Sequence, residues 1–176
     1  MTDGIVAYAI LGRMDFELTE SMSEVRAAAR EFAEKRLKPG AAAWDEAEAL
    51  SPEILAEGGR LGFFGLCVPE EFGGMGLDPL SCSVAMEELA RGSASFQGCV
   101  GVHGSLACTA LARFGTPEQK RRYLPRLASG DCIGAYSLSE PGSGSDAGSI
   151  STRAAADGDC FVVNGTKSWV SNGGIA

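Results

Sequence analysis

The sequence predicts an α+β fold in which an all-α domain (residues 14–131) is followed by the beginning of an antiparallel β domain (residues 132–176). Three observations support this division. Apolar residues recur at helical spacing through the first part. Capping residues, glycines and prolines divide that part into separate helices. After Asp131 the apolar spacing shortens and turn signals such as Asp157-Gly158-Asp159 become frequent, which is typical of hairpins.

Residues 1–13 are expected to be a disordered leader. Their apolar run, Ile5–Leu11, is too short to cross a bilayer, and neither a basic region before it nor a small-residue cleavage site after it is present. The leader therefore predicts neither a signal peptide nor a membrane anchor.

The first two helices have recognisable ends. Ser21 and Glu24 fit a capping box, in which each side chain satisfies a free backbone N–H of the first turn. The pair Pro39-Gly40 is expected to end this helix. Ser51 followed by Pro52 predicts the start of the second, because proline at the first helical position loses no hydrogen bond.

The rest of the first part contains one irregular segment and three further helices. Residues 61–78 are too rich in glycine and proline for regular structure. A helix is expected to begin at Asp78-Pro79, and another to run from Phe96 to Phe114. Thr116 and Gln119 form a capping box for the last helix, which Pro125 is expected to kink or end.

The second part is expected to consist of strands with an incomplete sheet, because so few residues leave an unpaired edge. In the stretch KSWVS, Lys167, Trp169 and Ser171 are predicted to share one face of a strand. Three other stretches favour extended structure: 132–139, 151–156 and 160–164.

Charge and composition exclude several classes of partner. The net charge is −8 and the isoelectric point is near 4.7. Phosphate binding depends on Lys and Arg, so we expect no nucleic-acid partner. The acidic balance likewise predicts no attraction to anionic lipid, and we expect no membrane partner.

The metal-binding residues are too scattered for a metal site. Six cysteines are present, no two of them closer than nine residues apart, and His103 is the one histidine. Zinc ligands usually come in close pairs, so no metal is expected. The cysteines are expected to be reduced, which favours a cytoplasmic location. His103 is expected to be a hydrogen-bonded helix residue near the domain junction.

The segment 136–146, YSLSEPGSGSD, is the main candidate for chemistry. Gly142 to Ala147 matches the G-x-G-x-x-A form of the dinucleotide fingerprint, but the residues that follow predict a hairpin rather than the required helix. Neither Ser143 nor Ser145 lies in the G-x-S-x-G pattern of a hydrolase nucleophile. Both alternatives are therefore disfavoured.

A flat, partly polar ligand is the remaining functional interpretation of this region. Tyr136 and Trp169 could form an aromatic wall, and the hydroxyls of Ser139, Ser145 and Ser171 could bind polar edge atoms, as an isoalloxazine ring would require. Plain core packing of the two aromatic residues explains the composition equally well. The residues taken one by one leave both interpretations open.

The order of the motifs resembles that of the acyl-CoA dehydrogenases, flavoproteins that desaturate acyl-CoA thioesters between the α and β carbons. The resemblance runs from about Met14 to the end and includes the stretches MDFELTESMSEVRAAAREFAEKRL, GFFGLCVPEEFGGMGLD, MEELAR, GDCIGAYSLSEPGSGSDAGSI and NGTKSWVSNGGIA. It implies a helical N-terminal domain, a β middle domain, a further four-helix domain, and FAD as the cofactor.

The resemblance also implies roles for individual residues. Ser139 occupies a position where most members have threonine, and either residue supplies a hydroxyl. Ser145 matches a position that contacts both the cofactor and the acyl-CoA. The residues implied to bind the cofactor are Tyr136, Leu138, Ser139, Gly144, Ser145, Trp169, Val170 and Ser171.

The implied reaction is removal of an α proton by a glutamate base and transfer of the β hydrogen to the flavin as hydride. In the family that base lies in the C-terminal domain, and no residue of this chain matches it. Glu70, Glu71 and Glu140 are expected to be surface residues or to make loop contacts. The chain is therefore expected to be a fragment without its catalytic base, inactive alone. An electron-transfer flavoprotein as acceptor and a homo-oligomer are implied for the full-length protein.

Two other functions stay open. The chain could be a non-catalytic helical and β module that binds a partner. It could also belong to a related flavin-dependent acyl-CoA oxidase or monooxygenase. The segment 72–91 favours a short- to medium-chain acyl substrate.

Overall fold

The structure is a computed structural model that describes residues 17–176. The predicted leader, residues 1–13, lies outside the described residues. A helical part precedes an antiparallel hairpin, so the predicted α+β class is confirmed. The helices are α1 Glu20–Phe32, α2 Lys38–Glu46, α3 Pro52–Arg60, α4 Pro79–Gly92, α5 Ala94–Gly101, α6 Thr109–Phe114 and α7 Pro117–Ala128. The strands are β1 Arg153–Asp157 and β2 Cys160–Asn164.

Helix α1 is capped by Thr19, so the predicted capping box of Ser21 and Glu24 is wrong. Thr19 has an extended backbone, and its hydroxyl accepts a hydrogen bond from the Met22 backbone N–H at 3.2 Å. Ser21 lies within the first turn, 3.1 Å from the Thr19 hydroxyl. Two hydroxyl residues compete for the cap, and the one whose backbone lies outside the helix takes it.

The prediction that Pro39-Gly40 ends the first helix is also wrong. A π-helical turn, Ala33–Leu37, joins α1 directly to α2. Pro39 falls in the first turn of α2, where the ring is tolerated because a π turn relaxes the regular hydrogen-bond pattern. Gly40 packs so closely on Trp44 that a β-carbon would collide with the indole ring.

Three other helix starts agree with their predictions. Ser51 accepts a hydrogen bond from Ile54 N at 3.3 Å, and Asp78 accepts one from Leu80 N at 2.9 Å. Thr116 and Gln119 form the predicted capping box, with bonds of 3.2 and 2.9 Å. Helix α7 continues past its internal proline to Ala128, so that proline does not end it.

The core of the helical part is an aromatic cluster where α1, α5 and the loop after α3 meet. Phe32 packs on Phe63 and Phe96 with ring centroids 5.0 and 5.6 Å apart, and Phe64 packs on Phe96. Helix α4 lies against α1 and the π turn that follows it, and a β-carbon at Gly92 would lie 2.7 Å from the carbonyl oxygen of Ala33 in that turn.

The helix predicted from Phe96 to Phe114 begins at Ala94, after the cap residue Ser93, and is observed as α5 and α6, joined by a π-helical turn over Val102–Cys108. His103 lies in that turn and is fully buried. Its Nδ1 accepts a hydrogen bond from Gly134 N at 2.8 Å, and its Nε2 lies 3.3 Å from Cys108 Sγ. The expectation of a hydrogen-bonded histidine near the domain junction is confirmed.

The predicted hairpin is present, but two predicted extended stretches are not strands. β1 pairs with β2 in an antiparallel register that closes on Asp157↔Cys160, and Gly158 makes the turn with a φ of +59°. Residues 132–139 and 167–171 form no strand in the described chain, so those expectations are wrong. Extended residues form a strand only where another strand pairs with them.

Among the described helices, none combines the length and the apolarity that a bilayer crossing needs.

Candidate functional site

Two loops carry the predicted site residues, and the structure joins them. We call residues 136–146 the first loop and residues 165–173 the second loop. The backbone N–H of Ser168 donates to the carbonyl oxygen of Ser139 at 2.9 Å. The Lys167 ammonium donates to the carbonyl oxygen of Leu138, also at 2.9 Å. Leu138 and Ser139 therefore lie beside the segment that carries Trp169.

Glu140 anchors the two loops to the start of β1. Its side chain is only 3% exposed, and it pairs with Lys167 Nζ at 2.9 Å. The backbone N–H groups of Ser151 and Thr152 donate to the carboxylate at 2.8 and 3.0 Å, and the Ser151 hydroxyl donates at 2.6 Å. These bonds, that of the Ser151 hydroxyl foremost, hold the pKa of Glu140 well below its usual range.

From the sequence, Glu140 is expected to be a surface residue or to make loop contacts. The loop contacts are present, but the side chain is buried rather than at the surface. A lone glutamate before a Gly-rich turn carries no signal of burial. The lysine that neutralises it lies 27 residues away, so no local pattern connects them.

A tight turn forms the tip of the first loop. Glu140 and Ser143 exchange two backbone hydrogen bonds of 2.8 and 3.1 Å. The buried Ser143 hydroxyl donates to the carbonyl oxygen of Asp146 at 2.6 Å. Gly144 and Ser145 lie exposed on this turn, and a β-carbon added at Gly144 would meet nothing within 4 Å. The protein's own packing therefore leaves open space above Gly144.

Trp169 is the most unusual residue of the second loop. Its side chain is 94% exposed, and its backbone has a φ of +58°, in the left-handed region that large residues rarely adopt. The predicted face shared by Lys167, Trp169 and Ser171 on a strand is therefore wrong. Such backbone strain clusters at ligand sites, and an indole without a packing partner is a flat surface that a ligand can cover.

Three hydroxyl groups of the two loops are free to bind a ligand. Within residues 17–176, the hydroxyls of Ser139, Ser145 and Ser171 make no hydrogen bond to another protein group. Tyr136 and Leu138 are each 40% exposed and extend the apolar surface of the first loop. An apolar wall with unpaired hydroxyls fits a flat heteroaromatic ring with a polar edge.

An open cleft of about 420 Å³ separates α5 from the second loop. Ser95, Gly98 and Cys99 line it from α5, and Val170 and Ser171 line it from the loop. Of the eight predicted cofactor residues, these last two face the cleft, and the other six lie outside it. The cleft beside the helical part is therefore lined by the two residues that directly follow the exposed Trp169.

No group of three or more His, Cys, Asp or Glu side chains in the described part of the chain is arranged to hold a metal ion. The cysteines are all free thiols.

Both parts of the chain match descriptions of one protein family. The family description "Acyl-CoA dehydrogenase, N-terminal domain" matches residues 19–131, and "Acyl-CoA dehydrogenase, middle domain" matches residues 135–176. The mitochondrial short-chain specific acyl-CoA dehydrogenase of Bos taurus is 46% identical over 156 residues, which cover 89% of this chain and 38% of that protein.

Two solved structures share the fold. One, from a study of the electron transferring flavoprotein of Acidaminococcus fermentans, has a TM-score of 0.87 and 41% identity, covering 91% of this chain and 42% of that chain. Another, a glutaryl-CoA dehydrogenase from Mycobacterium smegmatis in complex with FADH2, has a TM-score of 0.85 and 39% identity, covering 90% and 41%.

This chain spans about two fifths of the length of these relatives. The two family matches follow one another along it and together cover most of its residues. The chain belongs to the acyl-CoA dehydrogenase family.

Proposed function

We propose that the full-length protein carrying this chain is an FAD-dependent acyl-CoA dehydrogenase, which introduces a double bond between the α and β carbons of an acyl-CoA thioester. The observation that carries the proposal is the hydrogen bond between Ser168 N and Ser139 O, which holds the uncovered Trp169 beside the first loop. Family membership supports the reaction class.

The residues of the two loops fit FAD. Trp169 would lie against the ring system, and the unpaired Ser139 hydroxyl would bind its polar edge. Ser171 lines the cleft, so its hydroxyl would bind the ring where the ring borders that cleft. The open space above Gly144 would let a ligand approach the backbone closely. When bound, FAD supplies the acceptor for the two electrons that leave the substrate.

The cleft between α5 and the second loop is the candidate site for the acyl chain. Its lining is largely apolar or small, including Leu50, Cys99, Val170 and Ile175. These apolar residues would withdraw part of a hydrocarbon chain from water, although Glu48 and Ser95 make another part of the lining polar. Ser145, on the exposed turn, is proposed to contact the CoA part. A short acyl chain is favoured because the Bos taurus relative is named as short-chain specific.

The remaining assignments are proposals as well. An electron-transfer flavoprotein is the proposed electron acceptor, in keeping with the fold shared with a chain from the Acidaminococcus fermentans study. A homo-oligomer is proposed for the full-length protein. The cytoplasmic location stays a prediction from the scattered cysteines, and the Bos taurus relative is named as mitochondrial.

The decisive experiment uses the purified full-length protein. Its flavin spectrum is recorded, then butyryl-, octanoyl- and palmitoyl-CoA are added, with and without an artificial electron acceptor. We expect bound flavin, its bleaching by butyryl-CoA, and acceptor reduction with little oxygen consumption. Rapid oxygen consumption would instead favour the oxidase alternative. A protein that holds no flavin and bleaches with no thioester would overturn the proposal in favour of the non-catalytic module.

A further inference from the structure

The side-chain amide of Asn172 joins the second loop to the helical part. Its Nδ2 donates to the carbonyl oxygen of Cys99, one of the three α5 residues that line the cleft, at 3.0 Å. The same nitrogen donates to the carbonyl oxygen of Gly134, at 3.0 Å. An amide nitrogen has two N–H groups, so both are used. Asn172 has a φ of +65°, a conformation that asparagine tolerates better than most residues.

Gly134, the second acceptor, is itself held rigidly. Its N–H donates to His103 Nδ1 at 2.8 Å, so the imidazole carries no proton on that nitrogen. A β-carbon at Gly134 would lie 2.8 Å from the Cβ of Ala107. Side chains from two different elements therefore bind the N–H and the C=O of one glycine that packs against the helical part.

This arrangement bears directly on the width of the cleft. Ser171 precedes Asn172 and lines one wall, while Cys99 lines the opposite wall. Asn172 is bonded across the cleft to that second wall. Residues 172 and 99 are 73 positions apart, so the spacing of the walls depends on this contact rather than on local chain geometry.

We propose that Asn172 is a positioning residue that sets the distance between α5 and the second loop, and through it the acyl-chain preference. The acyl-CoA substrate in this inference rests on the proposed function. The hydrogen bonds that join the two walls rest on the structure alone. Asn172 itself lines the cleft, its amide holds the two walls together, and it is not among the eight residues assigned to the cofactor.

The test is Asn172→Asp, which keeps the shape but replaces both donors with a carboxylate that repels the two carbonyl oxygens. Asn172→Gly is the second variant, because glycine accepts the positive φ and removes only the amide. Asn164→Asp, at the exposed end of β2, is the matched control for the charge change.

Hydrogen exchange across residues 169–175 reports on the bridge without any substrate. We expect exchange there to be at least about tenfold faster in both Asn172 variants than in the unmodified protein or the control. Unchanged protection in both variants would show that the Asn172 amide does not hold the second loop in place. This conclusion would stand even if the protein had no acyl-CoA activity.

Steady-state kinetics on the full-length protein report on substrate choice. We expect the ratio of kcat/KM for octanoyl-CoA over butyryl-CoA to rise roughly tenfold in Asn172→Gly, chiefly through KM, with flavin content retained. An equal loss for all chain lengths would mean that Asn172 only supports the fold, and would overturn the proposed role. Failure of the proposed function is a different result, in which the unmodified protein oxidises neither thioester.

Discussion

The ammonium of Lys167 lies 2.9 Å from the carboxylate of Glu140, inside the contact between the first and second loops. Both side chains are largely withdrawn from water. The pair has a consequence for function, because Trp169 follows Lys167 by two residues and the exposed tip of the first loop follows Glu140 at once. Because the ion pair joins the two loops, we expect it to fix the relative position of the residues proposed to bind flavin.

Glu140→Gln is therefore expected to weaken both loops. A glutamine presents an NH2 group toward at least one of the donors Ser151, Thr152 and Lys167, so a bond is replaced by a repulsive contact. We expect the full-length protein to bind flavin at least about tenfold more weakly, as measured by fluorescence titration. Asp159→Asn, in the exposed hairpin turn, is the control. Equal flavin affinity in the two variants would contradict the anchoring role of Glu140.

Trp169→Ala separates ligand binding from folding. The side chain is 94% exposed, so its loss is expected to change the free energy of unfolding by no more than about 0.5 kcal/mol. Flavin affinity is expected to fall roughly tenfold, since stacking on an aromatic ring contributes about 1 kcal/mol beyond buried area.

Phe114→Ala is the matched control for Trp169, because that ring is 85% exposed at the end of α6. It should leave flavin affinity unchanged. If Trp169→Ala binds flavin like the unmodified protein, the second loop does not contact the ring.

Glu88 makes stability depend on pH. Its buried carboxylate pairs with Arg26 at 2.8 Å and with Arg30 at 2.5 Å, and the hydrogen bond from Arg30 foremost lowers the pKa of Glu88 to about 2. A lowered pKa in the folded state gives stability that is present above about pH 4.5 and is lost as the pH falls toward 2.

Glu88→Gln is expected to cost about 3 kcal/mol at pH 7, the lower end for a broken buried pair, because both arginines are partly exposed. The cost should shrink at pH 3. Urea unfolding at both pH values measures it, with the exposed neighbour Glu87→Gln as control. A cost that is equal at pH 7 and pH 3 would show that the charge of Glu88 is not what stabilises α1 against α4.

Two glycines are expected to respond to alanine with opposite signs. At Gly92 a β-carbon would lie 2.7 Å from the Ala33 carbonyl oxygen, so Gly92→Ala should destabilise the protein by about 2 kcal/mol. At Gly98, within α5, a β-carbon would meet nothing within 4 Å, so Gly98→Ala should stabilise it by up to about 1 kcal/mol. Thermal unfolding of both variants tests the prediction, and a shift of the same sign in both would refute it.

Short-range signals were sufficient for much of the fold. Ser51, Asp78 and Thr116 cap their helices as expected, because a cap and the N–H groups that it binds lie within three residues of each other. The hairpin turn at Gly158 is equally local. Family resemblance then pointed to both loops, although Trp169 was expected on a strand.

Other features depend on partners far away in the chain. The helix through Pro39 continues because a π turn precedes the proline, and the burial of Glu140 depends on a lysine 27 residues later. Asn172 reaches across 73 residues to Cys99. The caps at Ser51, Asp78 and Thr116 could be read directly from the amino-acid order, since each is completed by its own neighbours. At α1 two neighbouring hydroxyl residues could serve as the cap, and the order alone favoured the wrong one. The anchoring of the loops, the exposure of Trp169 and the width of the cleft required the folded chain, because hydrogen bonds and burial depend on which distant groups meet.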